Sequence, residues 1–141
     1  MYNKVIISTD GSEIAEKGVE EGLSLARKLD LPVVAIHVVD LSEYEKLHHT
    51  SIKESARKEF KSAGEAVVED VRNKAHEKGV KISTKLLYGK PSKRIIEQAG
   101  KNDIIVMSSH GFSGFSRWFL GSTTQRVLNN ANCTVAVVKG E

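Results

Sequence analysis

A single cysteine, Cys133, among 141 residues rules out an intrachain disulfide, and one thiol without neighbouring ligands cannot build a zinc site. Redox and zinc chemistry therefore drop out. Long hydrophobic runs are also missing: apolar stretches such as 33–36 and 135–138 fall far short of the roughly 20 residues that cross a bilayer. The N-terminus, Met1-Tyr2-Asn3-Lys4-Val5, passes straight into a strand-like run, with neither an apolar h-region nor a small-residue cleavage site, so a cytoplasmic address is expected. Neither sign of charge is in marked excess. The 21 Lys and Arg face 18 Asp and Glu, a formal net charge of +3 that is not visibly concentrated, which leaves no footprint for nucleic acid. Aromatic residues are sparse at 6%, yet 40% of the chain is hydrophobic and 28% charged, a globular balance rather than a disordered one. That length and composition suit one domain, residues 1–141, with no internal repeat, low-complexity tract or linker.

What is present is an alternation of two periods. Val5-Ile6-Ile7 reads as a short strand, and Thr9-Asp10-Gly11-Ser12 as a turn that caps a helix. Apolar residues at Ile14, Ala15, Val19, Gly22, Leu23, Ala26 and Leu29 then mark one face of that helix. Residues 31–39, opened by Pro32, form a nearly continuous apolar strand of the kind buried on both faces of a parallel sheet. Residues 40–51 show no clear period and read as a loop; residues 52–78 carry Ala56, Phe60, Ala63, Val67, Val71 and Ala75 at helical spacing, ending at Gly79. Alternation over 80–87 predicts a strand with one wet face at a sheet edge. Pro91 opens a short helix with Ile95, Ile96 and Ala99 inward, closed by Gly100. Ile104-Ile105-Val106 is a buried strand, 108–121 a Gly- and Ser-rich loop, 122–130 a helix, and 133–138 a last strand. The order βαβαβαβαβ argues for an α/β fold: a doubly wound parallel sheet with helices on both faces and right-handed crossovers.

In such a sheet ligands bind outside the carboxyl ends of the strands, where strand order reverses, so the loops to inspect are Ser8 to Ser12, Val38 to Asp40, Gly89 to Pro91 and Met107 to Ser122. The last is the most informative. Small residues after a buried strand let a ligand approach the backbone, and Gly121-Ser122 before a helix offers free N–H groups and the positive end of a helix dipole to an anion. This is a phosphate cradle, although neither G-x-x-x-x-G-K-[ST] nor G-x-G-x-x-G occurs in the chain.

The loop reads Ser108-x2-Gly111-x9-Gly121-Ser122, and with Thr9-Asp10-Gly11-Ser12, His37-Val38-Val39-Asp40 and Thr134-Val135-Ala136-Val137-Val138 the whole chain resembles the universal stress proteins. Nucleotide-binding members of that family carry G-x2-G-x9-G-[ST]; here Ser108 replaces the first glycine. The resemblance implies five strands in the order 3-2-1-4-5, adenine nucleotide alpha hydrolase-like, and a homodimer through the C-terminal strand. It also implies an ATP site, with Mg²⁺ as a possible companion. Asp10 would hold the ribose and the backbone of Val38 the adenine edge, while Gly111, Gly121, Ser122 and Thr123 would meet the phosphates. Ser8 and Met107 would line the base pocket, with Thr9 and Ser108 beside them.

Plainer readings stand next to these. Taken alone, Asp10 is a turn residue or cap, and Ser122 with Gln125 three positions on is a capping box. His37 reads as a packed, hydrogen-bonded histidine, His48-His49 as a solvated pair, and Trp118 as packing beneath the loop. Lys85, Lys90, Lys93 and Arg94 read as a solvated basic face, and His110 lacks the orienting partner a catalytic base requires. No residue is assigned a catalytic role. Residues 107–125 contain no Asp or Glu, so any hydrolysis would rely on Asp10 and Asp40 and should be slow. The expected function is therefore an ATP-binding regulatory module of the stress response with an unidentified protein partner. The alternatives are a dimerisation module without nucleotide, which Ser108 favours, and a slow adenine-nucleotide hydrolase.

Overall fold

The β-branched runs identified in the sequence become the middle of a sheet. In the computed structural model, which describes residues 1–48, 52–110 and 120–140, the strands are β1 (Val5–Ser8), β2 (Val33–Val39), β3 (Ile82–Tyr88), β4 (Ile104–Ser108) and β5 (Thr134–Val138). All pair in parallel, in the order β3-β2-β1-β4-β5. The helices are α1 (Glu13–Leu29), α2 (Leu41–His48), α3 (Glu54–Glu77), α4 (Pro91–Glu97) and α5 (Ser122–Asn130).

Burial on both faces explains why the central strands lack alternation. Ile7 and Val106 pack with Leu23 of α1 and Val71 of α3 on one face, while Ile6, Ile36 and Ile105 pack with Ile95 of α4 and Val127 of α5 on the other. Edge strand β3 does alternate, with Ser83 and Lys85 exposed between half-buried neighbours. Two residues of the α1 stripe fall outside the core: Ile14 and Leu29, at the helix ends, are 41% and 45% exposed.

Residues 41–48, expected as loop, are helical. Asp40 supplies the reason: its Oδ1 accepts the Ser42 amide at 3.1 Å and also the Ser42 hydroxyl, satisfying a helix-start donor. Tyr44 then packs edge-on against Phe60 of α3 with ring centroids 5.5 Å apart, and the exposed His48 lies against Tyr44 at 4.2 Å. Such contacts stabilise a short helix whose sequence period is too brief to detect. His49 lies outside the described residues. Among those described, no helix is long and apolar enough to cross a membrane.

Candidate functional site

Strand order reverses between β1 and β4, since the chain leaves β1 toward β2 and leaves β4 toward β5. The loops beyond these strands therefore diverge, and a cleft of about 490 Å³ opens between them on the α4 and α5 face. That volume is ample for a nucleotide-sized ligand.

The β1–α1 loop forms one wall and is fixed by five polar contacts. The Thr9 amide donates to Ile36 O at 3.1 Å, and His37 Nδ1 lies 2.9 Å from Thr9 O. A carbonyl only accepts, so Nδ1 carries the proton, and His37 is the hydrogen-bonded histidine expected rather than a ligand. Thr9 Oγ1 accepts from the Gly11 amide at 3.1 Å, and Asp10 Oδ1 from the Ser12 amide at 2.9 Å. Ser12 Oγ caps α1 through the Ala15 amide at 3.2 Å. Asp10 is thus the turn residue of the plainer reading, and its half-buried carboxylate also lines the cleft. Its second role is compatible with the first because a carboxylate has four lone-pair directions.

The opposite wall comes from the end of β4 and the start of α5. Gly121 is the N-cap of α5, with φ −63° and ψ 155°, its amide donating to Ser109 O at 2.7 Å. This corrects the capping box at Ser122 and Gln125. Ser122 already has helical geometry, so the cap position falls one residue earlier, on a residue that has no side chain with which to cap the helix. The Gln125 amide makes the first intrahelical bond, to Gly121 O at 2.9 Å. The amides before it lie in the first turn, the part of a helix suited to receive an anion.

Ser108 does not crowd this space. It continues the parity of Ile104 and Val106, which face α1, and its Cβ lies 3.4 Å from where a Cβ on Gly18 would stand. Its hydroxyl donates to His110 O at 2.7 Å, and its carbonyl accepts from Thr124 Oγ1 at 2.9 Å. The side chain is therefore turned toward α1 and committed to holding the loop.

Of the residues nominated from sequence, Ser8, Thr9, Asp10, Val38, Met107 and Ser108 line the cleft, together with Gly121, Ser122 and Thr123. Gly111 lies outside the described residues, as does Trp118. The basic cluster stays away from the cleft: Lys85 pairs with Gln98, Arg94 with Glu97, and Lys90 and Lys93 are exposed. The cleft also gains Pro91 and Ile95 from α4, Thr124 and Arg126 from α5, and Asp40 and His110 from strand-end loops. Arg126 was within reach of pattern reasoning, since it stands four residues after Ser122 and thus on the same helix face. Among the described residues no group of three His, Cys, Asp or Glu is placed to hold a metal ion.

A family model, "Universal stress protein family", matches residues 1–139. The chain belongs to the universal stress protein family. Among curated relatives, universal stress protein MJ0531 of Methanocaldococcus jannaschii is 38% identical over 141 residues, covering 99% of this chain and 83% of its own. The solved structure of protein MJ0577 superposes with a TM-score of 0.85 at 27% identity, covering 100% of this chain and 98% of its own. A universal stress protein solved in complex with cAMP gives a TM-score of 0.74 at 19% identity, covering 99% and 98% of the two chains. The sheet order and the family expected from sequence are both borne out.

Proposed function

We propose that this universal stress protein binds ATP in the cleft between β1 and β4, and that the filled or empty site is a regulatory signal in the stress response. The observation that carries this reading is the pairing of an α5 N-terminus whose cap residue, Gly121, has no side chain and a carboxylate, Asp10, on the facing wall. The first suits phosphate, and the second suits ribose hydroxyls. In this reading Ser122, Thr123 and the backbone at Gly121 meet the phosphates, with Gly111 beside them. Val38 meets the adenine edge, and Ser8 and Met107 flank the base. A fold relative solved with cAMP supports an adenine nucleotide as the ligand class. The rival reading, a module without nucleotide, rests on Ser108; the packing of its Cβ beside Gly18 and the engagement of its hydroxyl by the His110 carbonyl favour the nucleotide reading.

Among the described lining residues Asp10 and Asp40 are the carboxylates, and Asp40 already holds the start of α2. Turnover of ATP should accordingly be slow. Strand β5 is the sheet edge, pairing on one side with β4, and the reading includes a second copy of the chain covering its other side. Light scattering should return twice the chain mass of 15.5 kDa; a monomer at working concentrations would remove the dimer.

Calorimetric titration of Mg-ATP into nucleotide-free protein should give saturable binding near one site per chain. Ser108→Gly should bind within about twofold of the parent, because the hydroxyl it removes is engaged by the His110 carbonyl. No heat from either protein would overturn the reading. Binding by Ser108→Gly alone would show that Ser108 closes the site.

A further inference from the structure

The net charge of +3, which looks dispersed in the composition, is uneven along the chain. Between Glu77 and Glu97 stand six Lys and Arg and no Asp or Glu, so this stretch carries +6 and the remainder of the chain −3. The fold lays it along one rim: Lys78 and Lys81 precede β3, Lys85 lies within it, Lys90 follows, and Lys93 and Arg94 belong to α4. Five of the six are exposed, and among the described residues Arg94 alone of them pairs with a carboxylate. Lys85 donates instead to the neutral amide of Gln98. The same rim is an open sheet edge, since β3 pairs with β2 only. The Lys81 carbonyl accepts the Val33 amide at 2.8 Å and the Gly89 amide donates to Val39 O at 3.1 Å, so odd-numbered residues turn their backbone groups toward β2. By alternation the N–H and C=O of Ile82, Thr84, Leu86 and Tyr88 point outward.

We propose that β3 receives an extended acidic segment of a protein partner as a sixth strand, its alternate carboxylates facing Lys85, Lys90 and Lys93 and its intervening apolar side chains covering Ile82, Leu86 and Tyr88. The two faces of the strand differ in the way such a segment requires. Ile82 and Leu86 lie half-buried on the α3 face, where Leu86 packs against Gly64, and Tyr88 of the same parity is 43% exposed. Lys85 shares the other face with Leu87, which packs into the core beneath α4. In strand addition the backbone bonds hold the segment while alternate side chains meet the two faces. A second copy of β3 is the wrong occupant, because it would set lysine against lysine. A nucleic acid would use the charge and leave the outward amides of β3 unpaired. No residue of β3 lines the nucleotide cleft, so the inference stands independently of that reading.

The probe is a capped, fluorescent peptide of about nine residues alternating glutamate with valine, long enough to span β3, titrated against the full chain by anisotropy. It should saturate, and the same peptide with lysine for glutamate should bind at least about tenfold more weakly. Combined Lys85→Glu, Lys90→Glu and Lys93→Glu, all at exposed positions, should weaken the glutamate peptide by a similar factor. N-methylation of the peptide backbone separates strand pairing from charge alone. Methyl groups on one parity of residues should cost about tenfold or more, and on the other parity little, because only one parity turns its N–H toward β3. Hydrogen exchange on the parent, read by NMR, should show the amides of Ile82, Thr84, Leu86 and Tyr88 slowed at saturating peptide; this arm decides even where the triple variant does not fold. Absence of binding, unchanged exchange at those four amides, or equal effects of the two N-methylated series overturns the proposal. So does a single-stranded oligonucleotide of equal charge that binds more tightly and displaces the peptide, which would make the rim a nucleic-acid surface.

Discussion

Gly121→Val should abolish nucleotide binding in a protein that still folds. The residue has φ −63° and ψ 155°, an extended conformation open to any residue, so the backbone at this position does not require glycine. A Cβ added there would lie 3.4 Å from Ser109 O and 3.7 Å from the His110 Cα, ordinary contact distances. Gly121→Ala should accordingly change stability by less than about 0.5 kcal/mol. What glycine offers at this cap is close approach of a ligand to the first turn of α5. The branched methyls of valine would stand at the cleft wall and hold phosphate away from that turn. Loss of two charge-assisted backbone contacts weakens binding by roughly a hundredfold or more. Calorimetry with ATP, beside a thermal melt, checks both halves. Retained affinity in a folded Gly121→Val protein would remove the phosphate assignment at α5.

The contrast between Gly121 and Ser108 shows how far the sequence could be read. The strands were legible because Val5 to Ile7 and Ile104 to Val106 are β-branched runs buried on both faces, and the sheet order followed from the family likeness. That same double burial hid the orientation of Ser108. A strand apolar on both sides does not reveal which parity faces α1, so a serine at the motif's first position could equally block the cleft or leave it open. The parity itself is visible only in the packing of Ser108 beside Gly18. Helix α2 was missed for another reason. Its eight residues span barely two turns, too few for a hydrophobic period, and its stability comes from the Asp40 cap and from Tyr44 on Phe60. The cap of α5 shifted by one residue, from Ser122 to Gly121, because cap position is set by backbone dihedrals rather than by residue type.

Gly11→Ala should be strongly destabilising, and its cost should fall when Val67 is trimmed. Gly11 has φ +80°, in the left-handed region where a residue with a Cβ pays about 1–2 kcal/mol. An added Cβ would also stand 2.6 Å from Val67 Cγ2 on α3. Valine on a helix has one strongly preferred rotamer and cannot swing aside, so overpacking adds about 1–3 kcal/mol. Together these predict a loss of about 2–5 kcal/mol, or roughly 10 °C in Tm for a domain of this size. Asn at this position would relieve the dihedral cost but not the contact, and should be intermediate. The Asp10 to Ser12 hydrogen bond spans Gly11, so displacing the loop also shifts the Asp10 carboxylate, and ATP affinity should fall with stability. Val67→Ala alone costs about 1 kcal/mol at its half-buried position, yet in the Gly11→Ala background it removes the clash. The two changes should therefore couple favourably by about 1 kcal/mol in a double-mutant cycle read by urea denaturation. Strict additivity would mean that the loop moves away from α3 instead of pressing on it. In that case the wall carrying Asp10 is held from β2, through His37 and Ile36, rather than by α3.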